Sequence, residues 1–484
     1  AAHKTIERPQ EEARMLKHSL PAMLLLLSPP LAPVTAGAGN LIPDGDGAAG
    51  LCTDDPGAAT TIPGWTVVEG SPAVRCRVAG HAGPVIARGP WGAAVLEQRV
   101  DVSAAGAAID AGSSVATLSG SRGGHGKAEV EAHFLAASGN EIGPTLTLAG
   151  PAAATVPPGT RSVSVRIRLS GAGADAAWVT GLGLGLSVEL PPPVLAPPPS
   201  AVPPFDHVFL IVMENTDYRQ VIGDTANAPY INGLAARGTL FANYDAVYHP
   251  SDENYLAIAA GDTFVRGGLY FPKLRLAQRH IGDAVEAAGK SWKAYEQGMG
   301  PPCNTTTRYD RDFEPDDAPF VLFADIIGDL PRCRAHLVDT DQLPVDLRSA
   351  ATTPNFAWIA ADDYYDGEAS GNGSPQSLRV QDAWLRTTLA PLFASPAWTG
   401  ERSLLLLTWD ESATETDNHI ATILVASQGL VRPGAVARRH ADHYALARTI
   451  EAALGLQPLT ANDRYAEPLN EAFVSPGAGT DPKR

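Results

Sequence analysis

Charged side chains are scarce in this 484-residue chain, and basic ones are scarcer than acidic ones. Charged residues make up 18% of the sequence, and 36 lysines and arginines face 53 aspartates and glutamates, for a formal charge of −17. A surface this acidic repels polyphosphate backbones, so the composition argues against nucleic acid as a partner. The hydrophobic fraction of 44% is nevertheless typical of a folded globular protein rather than a disordered chain.

The sequence also lacks an apolar run of the roughly 20 residues that a membrane-spanning helix needs. A short apolar stretch at residues 20–27 follows basic residues and is soon interrupted by two prolines. With the small residues at 34–39, this is the pattern of a secretory signal that starts at Met15, and a short membrane anchor is the alternative. We therefore predict that residues 1–39 comprise a signal peptide and the residues upstream of it. We expect a secreted or periplasmic protein without an integral membrane span.

Cysteine is rare, and its spacing does not match the common zinc motifs. The chain has four cysteines and no C-x-x-C pair, which argues against a cysteine-based metal site. Cys52 and Cys76 lie early in the chain, and Cys303 and Cys333 lie late. In an exported protein these two local pairs predict two disulfides, each worth about 3 kcal/mol for a loop of roughly 25 to 30 residues.

A proline-rich segment divides the rest of the chain into two parts. Prolines crowd residues 189–204, a composition typical of a stiff and extended linker. We therefore predict one domain at residues 40–188 and a second at residues 205–475. The sequence has no internal repeat and no other low-complexity tract.

The first domain has the pattern of an all-β sandwich. Alternating or β-rich segments recur between glycine and proline clusters, at residues 127–136, 161–169 and 177–188. Together with the motifs at 40–46, 63–65, 96–101 and 118–120, this domain resembles the jelly-roll modules, similar to carbohydrate-binding ones, that bacteria append to secreted enzymes. The resemblance implies a polysaccharide partner. An exposed Trp65 or Trp91 would stack on a sugar ring, and core packing is the alternative interpretation of both tryptophans.

The second domain changes to an α/β pattern. Continuous apolar runs of the kind that buried parallel strands show lie at residues 206–213, 355–360, 403–408 and 420–426. Helical spacing recurs around them, at residues 228–238, 280–289, 378–393 and 444–454. This alternation predicts a mostly parallel sheet covered by helices.

Carboxylates follow three of these predicted strands. The runs are followed by Glu214-Asn215, Asp362-Asp363 and Asp410-Glu411. Ligand sites of parallel sheets lie at the carboxyl ends of the strands, where these carboxylates would meet and repel one another. A surface loop that merely begins with an acidic residue is the simpler interpretation of any one pair. Three pairs at three strand ends favour a divalent cation among them.

Ser251 precedes a helical segment and is expected to cap it. A hydroxyl at a helix N-terminus meets the positive end of the helix dipole and backbone N–H groups, which stabilise an alkoxide and bound phosphoryl oxygens. Ordinary capping is the more common role of a serine at this position. Its interpretation therefore depends on the residues that accompany it.

Taken together, these motifs resemble the phosphoesterase family of secreted acid phosphatases and phosphatidylcholine-type phospholipases C, related in fold to alkaline phosphatase. The resemblance runs from about residue 206 to about residue 460 and rests on residues 207–215, 241–244, 249–251, 254–255, 408–411, 417–420 and 443–450. It implies that Ser251 is the nucleophile and that Asn254 and His419 contact the phosphoryl group. It also implies a divalent metal ion held by Glu214, Asn215, Asp410 and Glu411, and it leaves room for a second ion at an acidic cluster of Asp362, Asp363 and Asp366.

Two positions depart from the family's pattern. Tyr365 stands where the family commonly has a histidine, and Asp317 begins an Asp-Ala-Pro segment in place of His-Asn-Pro. Both changes weaken contacts to substrate or to a second metal but leave the nucleophile and the first metal set intact. We therefore expect an active enzyme with shifted specificity. His249 and His443 lie within the motifs, and either line the site or serve as capping or core residues.

The sequence thus predicts a secreted, metal-dependent phosphomonoesterase that acts on a small phosphate ester through a phosphoserine intermediate. A phospholipase C acting on a phospholipid head group is the second interpretation, which the compact catalytic half disfavours. A third is a non-catalytic polysaccharide-binding protein with a degenerate enzyme domain. Oxygen-rich ligands suit calcium, magnesium or manganese, and a nearby histidine also admits zinc or iron, so the identity of the metal stays open.

Overall fold

The computed structural model describes residues 39–148, 152–171, 177–264, 273–307, 313–414 and 417–474. Apart from residue 39, the predicted signal segment lies outside these ranges. Among the helices of the described ranges, none is both long and apolar enough to span a bilayer.

Alternating apolar residues fold the first half into two antiparallel sheets. Its elements are β1 (Thr66–Glu69), β2 (Ala73–Val78), β3 (His81–Ala87), β4 (Ala94–Asp101), α1 (Gly106–Asp110), β5 (Val115–Gly123), β6 (Lys127–Ala136), β7 (Leu146–Thr147), β8 (Ala152–Thr155), β9 (Thr160–Ser170) and β10 (Trp178–Leu186). The two five-stranded sheets have the orders β1-β4-β9-β6-β7 and β2-β3-β10-β5-β8. Along β6, the side chains of Ala128, Val130, Ala132 and Phe134 are buried, because the period of two turns them toward one core. The predicted sandwich is confirmed.

The two tryptophans considered for sugar stacking are both buried. Trp65 is 8% exposed and its indole N–H donates to the carbonyl oxygen of Asp44 at 2.9 Å. Trp91 is 7% exposed and packs against a histidine of the second half. Burial of both indoles supports their interpretation as core residues rather than as exposed stacking platforms, and a polysaccharide partner for this half stays a prediction.

The second half is built on an eight-stranded mixed sheet. The strands of this half, eight of which form the sheet, are β11 (His207–Met213), β12 (Thr239–Phe241), β13 (Tyr244–Asp245), β14 (Trp292–Glu296), β15 (Leu337–Asp339), β16 (Phe356–Ala360), β17 (Ser403–Trp409), β18 (Thr422–Ala426), β19 (Ala435–Ala437) and β20 (Ala441–Asp442). The sheet has the order β15-β14-β16-β11-β17-β18-β12-β19, and β13 pairs separately with β20. Strand β18 is antiparallel to both of its neighbours, and the other pairs in the sheet are parallel. The predicted mostly parallel α/β sheet is confirmed.

Helices connect these strands. They are α2 (Tyr218–Val221), α3 (Pro229–Arg237), α4 (Ser251–Ala260), α5 (Ile281–Ala287), α6 (Ala324–Ile327), α7 (Leu330–His336), α8 (Leu343–Asp346), α9 (Asp363–Asp366), α10 (Glu368–Gly371), α11 (Pro375–Ala394), α12 (Pro396–Gly400), α13 (His443–Leu454) and α14 (Ala461–Tyr465). Four of them, α3, α5, α11 and α13, lie where helical spacing predicts helices. Strands β11, β16 and β17 are buried along their whole length, which explains their continuous apolar sequence.

Both predicted disulfides are present. Cys52 is bonded to Cys76 on β2, and Cys303 is bonded to Cys333 on α7. The proline-rich residues 189–204, all of them described, contain neither helix nor strand. The sandwich and the α/β half nevertheless belong to one compact unit, Ala38–Arg484, and the domain boundaries at 188 and 205 stay predictions.

Candidate active site

Four neighbouring strands of the sheet carry carboxylates where they end. Strands β14, β16, β11 and β17 are adjacent and parallel, so their carboxyl ends meet at one edge. Glu296 ends β14, Glu214 follows β11, and Asp410 follows β17. Asp362 and Asp363 follow β16 after one intervening residue. The backbone N–H of Asn215 donates to Oδ1 of Asp410 at 3.0 Å, which joins two of these ends directly. The acidic rim that the sequence predicts is therefore present.

Glu214 lies at the centre of this edge and is 2% exposed. Its Oε2 accepts the hydroxyl of Ser251 at 3.2 Å and the side-chain amide of Asn215 at 2.6 Å. Its Oε1 accepts the hydroxyl of Tyr255 at 2.6 Å. The predicted nucleophile thus contacts the predicted metal set. Tyr255, to which the sequence assigned no role, fixes the orientation of the central carboxylate.

Ser251 is the first residue of α4 rather than its cap. The N-cap position belongs to Pro250, so the expectation that the serine caps the helix is wrong by one residue. Because a proline side chain offers no acceptor, it leaves the backbone N–H groups of the first turn uncapped by a side chain. The serine hydroxyl still lies in the first helical turn, near the positive end of the helix dipole.

Asn254 holds the loop before the serine in place. Its Oδ1 accepts the backbone N–H groups of Val247 and Tyr248, each at 3.0 Å. Its Nδ2 donates to the carbonyl oxygen of Tyr248 at 3.0 Å and lies 3.4 Å from Oε2 of Glu411. These contacts are those of a residue that positions the loop. Its predicted role as a donor to a phosphoryl oxygen stays a prediction.

The histidines of the motifs lie in three different environments. Nδ1 of His249 is 2.7 Å from Oε2 of Glu411. His419 stacks on Tyr218, with 4.6 Å between the ring centroids, and its Nε2 lies 3.1 Å from the carbonyl oxygen of Ala242. These contacts do not join His419 to Ser251, and its predicted phosphoryl contact stays a prediction.

His443 is buried beneath the site. Its Nε2 lies 2.7 Å from the carbonyl oxygen of Asp410, and its Nδ1 lies 3.1 Å from the hydroxyl of Tyr244. Burial lowers the pKa of His443 to about 4, so the ring is neutral near pH 7. A neutral ring with a proton on Nε2 satisfies both contacts, and His443 therefore supports the backbone of Asp410.

A second acidic cluster adjoins the first, with a composition that differs from the prediction. Carboxylate oxygens of Asp317, Asp363 and Asp366 lie within 4.8 Å of one another. Asp362, which the sequence placed in this cluster, instead caps α9 and accepts the backbone N–H of Tyr365 at 3.1 Å. Asp362 therefore lies outside this group of three, which Asp317 completes, and its predicted role stays a prediction. Asp317 stands where the family has a histidine.

Burial and mutual repulsion disfavour the ionised form of the carboxylates along this edge. Burial, followed by the charges of neighbouring carboxylates, raises the pKa values of Glu214, Asp317, Asp366 and Glu296. Burial raises the pKa of Asp410 to about 6. Within the described residues, Oδ2 of Asp410, Oδ2 of Asp317 and both carboxylate oxygens of Glu296 have no hydrogen-bond partner. Buried oxygen atoms of this kind are suitable ligands for a hard divalent cation.

Another group of metal-binding residue types is neutralised by an arginine. His280, Asp283 and Asp325 lie close together around the N-terminus of α5. Arg332 pairs with Asp283 at 2.6 Å and with Asp325 at 2.5 Å. The guanidinium already supplies the positive charge, so this group is a structural ion-pair network.

Sequence reasoning missed Glu296 at the acidic edge of the sheet and Asp317 as a member of the second acidic cluster. Strand β14, Trp-Lys-Ala-Tyr-Glu, is not a continuous apolar run, since Lys293 interrupts it. Its position after the predicted helix at 280–289 was the available signal, because a strand is expected there in an α/β alternation. For Asp317, the signal was the departure from the family's histidine.

Part of this chain is similar to known phosphatases. A family model described as "Phosphoesterase family" matches residues 224–457. A phosphatidylinositol-3-phosphatase of Mycobacterium tuberculosis is 30% identical over 274 residues, which cover 57% of this chain and 85% of that protein. A probable acid phosphatase of Kluyveromyces lactis is 28% identical over 278 residues, 55% of this chain and 62% of that protein.

Among solved structures, a protein in the alkaline phosphatase superfamily from Vibrio parahaemolyticus aligns with a TM-score of 0.39 at 12% identity, over 56% of this chain and 71% of that one.

Proposed function

Since the chain belongs to the Phosphoesterase family, we propose that it is a metal-dependent phosphomonoesterase in which Ser251 carries the phosphoryl group between two half-reactions. The observation that supports this most is the contact of the Ser251 hydroxyl with Glu214 at the carboxylate-rich edge of the sheet. A hydroxyl nucleophile beside a group of oxygen ligands is the arrangement that metal-assisted phosphoryl transfer needs.

The residues around the serine hold it for attack. The hydroxyl hydrogen of Ser251 points to Oε2 of Glu214, which leaves lone pairs on Oγ for a phosphorus atom. In the proposed reaction the serine hydroxyl releases its proton to solvent, the Oγ–P bond forms while the ester P–O bond breaks, and the alcohol leaves with a proton from solvent. Water then cleaves the phosphoserine, releases inorganic phosphate and restores the serine hydroxyl. A bound divalent cation would stabilise the ionised serine and neutralise charge on the phosphoryl oxygens.

Glu214, Asn215 and Asp410 are the residues proposed to hold that cation. They are linked by the hydrogen bonds of 2.6 and 3.0 Å described above, and Oδ2 of Asp410 has no hydrogen-bond partner in the described part of the chain. Glu411 is paired with His249, and only its place in the sequence motif supports it as a fourth ligand. Asp317, Asp363 and Asp366 are the proposed ligands of a second ion.

We propose a phosphate monoester as the substrate. The relatives compared above are named a phosphatidylinositol-3-phosphatase and a probable acid phosphatase, and both names describe monoester hydrolysis. The chain covers 62% of the length of the latter. Phospholipase C activity, which cleaves a diester, is the second candidate that the family admits.

An oxidising compartment is the proposed location. Cys52–Cys76 and Cys303–Cys333 are both bonded, and disulfides persist mainly in secreted and periplasmic proteins. The predicted signal, which would direct this export, lies outside the described residues apart from residue 39.

Hydrolysis of two chromogenic esters tests the proposal. The purified protein is given p-nitrophenyl phosphate or p-nitrophenylphosphorylcholine, with and without a chelator. We expect chelator-sensitive turnover of the monoester that is lost in Ser251→Ala and kept in Ser138→Ala, a matched change on an exposed turn. Preference for the choline diester would assign a phospholipase C. Absence of turnover with either ester across pH and added divalent metals would favour the non-catalytic interpretation.

A further inference from the structure

The loop that leads to Ser251 is held by the β-sandwich half. This loop, residues 246–250, is called the nucleophile loop below. Three successive residues in it contact the sandwich half. The carbonyl oxygen of Val247 accepts the backbone N–H of Ala59 at 3.0 Å. The hydroxyl of Tyr248 donates to Oδ2 of Asp55 at 2.8 Å, and the ring of His249 meets that of Trp91 edge to face, with 5.5 Å between centroids.

We propose that the β-sandwich half is a working part of the catalytic unit, and that Asp55 and Trp91 are positioning residues for the nucleophile loop. The inference rests on the proposed function, because the loop matters to catalysis only if Ser251 is the nucleophile. It gives this half a role beyond that of the appended, polysaccharide-binding module that the sequence predicts. The family model begins at residue 224, so both positioning residues lie outside the part of the chain that it matches.

Asp55 is presented by a segment with little freedom to move. The Cys52–Cys76 disulfide ties the segment to β2, and the backbone of Thr53 pairs with Val74 at 2.8 Å and with Cys76 at 3.2 Å. Oδ1 of Asp55 accepts the backbone N–H of Gly57 at 2.9 Å, which leaves Oδ2 for Tyr248. A Cβ at Gly57 would lie 3.0 Å from Cε2 of Tyr248, so glycine permits the close approach of the ring.

Trp91 is held in a similar way on a turn between β3 and β4. Nη1 of Arg88 donates to the carbonyl oxygens of Pro90 and Gly92, at 3.2 and 2.7 Å, and so clamps the backbone on both sides of the tryptophan. The indole is 7% exposed and lies against His249 at an interplanar angle of 73°. Edge-to-face pairs of this kind are favourable, since the positive edge of one ring faces the negative face of the other.

Two sets of contacts connect the nucleophile loop to the active site. The backbone N–H groups of Val247 and Tyr248 are bonded to Asn254 on α4, the helix that begins with Ser251. His249 contacts Glu411 at 2.7 Å. A shift of the loop therefore moves the serine and a predicted metal ligand together. A displacement of about 1 Å in such a site is enough to cost about 100-fold in rate.

Paired variants of the full-length protein test the proposal. We expect Asp55→Ala and Trp91→Ala each to lower kcat for p-nitrophenyl phosphate by at least about tenfold with KM changed less than twofold, since misplaced groups reduce the rate more than the binding. Trp91→Phe keeps an aromatic edge and should recover most of the rate. Asp54→Ala is the matched control, because Asp54 forms an ion pair with the exposed Arg77 at 2.8 Å and makes no hydrogen bond to the nucleophile loop among the described residues, and it should retain the parental rate.

A double-mutant cycle and hydrogen exchange separate positioning from general damage. Tyr248→Phe removes one hydroxyl with little risk to folding, and the double variant with Asp55→Ala should lose no more rate than the worse single variant. In Asp55→Ala, the amides of residues 246–249 should exchange faster than in Asp54→Ala. Multiplicative losses, a parental kcat in folded Asp55→Ala, or unchanged exchange at 246–249 would overturn the proposal. If the parent protein hydrolyses no phosphate ester, the proposed function fails, and the exchange measurement still decides whether the sandwich half holds the loop.

Discussion

The carboxylate-rich edge predicts that the metal-free protein loses stability as pH rises, and that a divalent cation restores it. An acid whose pKa is raised on folding binds more protons in the folded than in the unfolded state, so the free energy of unfolding falls as pH rises between the two pKa values. Raising the pKa of Asp410 from 3.8 to about 6 makes its ionised form about 3 kcal/mol less favourable in the folded protein, at about 1.4 kcal/mol per pH unit. Burial also raises the pKa of Glu368 to about 7 and that of Asp316 to about 8, so the loss continues to about pH 8.

The assay is urea unfolding at pH 5 and pH 8, with chelator or with a millimolar divalent cation. Carboxylates with lowered pKa values, such as Asp325 beside His280 and Arg332, are ionised in both states over this range and contribute nothing to the difference. His443 acts in the opposite direction, because burial lowers its pKa from 6.5 to about 4, and this adds about 2 kcal/mol of stability as pH rises from 5 to 6.5. The raised pKa values of Asp410, Glu368 and Asp316 together remove more than this between pH 5 and pH 8. We therefore expect the chelated protein to be less stable at pH 8 than at pH 5, by about 3 kcal/mol or more, and we expect the cation to stabilise it most at pH 8.

A matched pair of variants makes this prediction specific. Asp317→Asn removes one of the repelling charges and should raise the stability of the chelated protein at pH 8 while reducing the gain from the cation. Asp341→Asn removes the same charge from an exposed position and should change neither quantity. A chelated protein that is equally stable at both pH values, or more stable at pH 8, would refute the reasoning.

Two further predictions concern individual contacts. Tyr255→Phe deletes the 2.6 Å hydrogen bond to Glu214, and a hydrogen bond to a charged group contributes about 1.5 to 3 kcal/mol. We therefore expect a higher half-saturating metal concentration in turnover assays. An unchanged metal titration would show that the hydroxyl does not orient the carboxylate. Asp362→Ala should cost about 1 kcal/mol in unfolding experiments through the lost cap of α9 but leave the metal titration unchanged, whereas Asp363→Asn should weaken the metal response. The reverse result for these two neighbours would return Asp362 to the acidic cluster.

Much of the fold follows directly from the hydrophobic pattern. Strands β11, β16 and β17 lie within a residue of their apolar runs, because strands buried on both faces have no polar positions to interrupt the pattern. Strand β14 is interrupted by Lys293, whose ammonium group reaches Asp346 at 2.6 Å, and periodicity therefore gives no signal for it. The end of β14 supplies Glu296, so the missed strand and the missed site residue have one cause.

The details of the site depend on geometry that spacing does not encode. Asp362 and Asp363 are adjacent in sequence, but the start of α9 turns one carboxylate onto the helix N-terminus and the other toward Asp317. Likewise, Pro250 rather than Ser251 occupies the N-cap of α4, because the conformation of the preceding loop decides where the helix begins. That loop is in turn held by Asp55 and by Trp91, which precede it by more than 150 residues, and no local pattern indicates such a contact.

Trapping of the phosphorylated enzyme tests the central claim most directly. The protein is mixed with p-nitrophenyl phosphate and a divalent cation, quenched in acid within the first turnover, and digested for mass spectrometry. The account predicts a phosphoryl group on the peptide that contains Ser251, formed no more slowly than product is released, and absent in Ser251→Ala. Turnover that leaves Ser251 unmodified, or that continues in Ser251→Ala, would contradict the account.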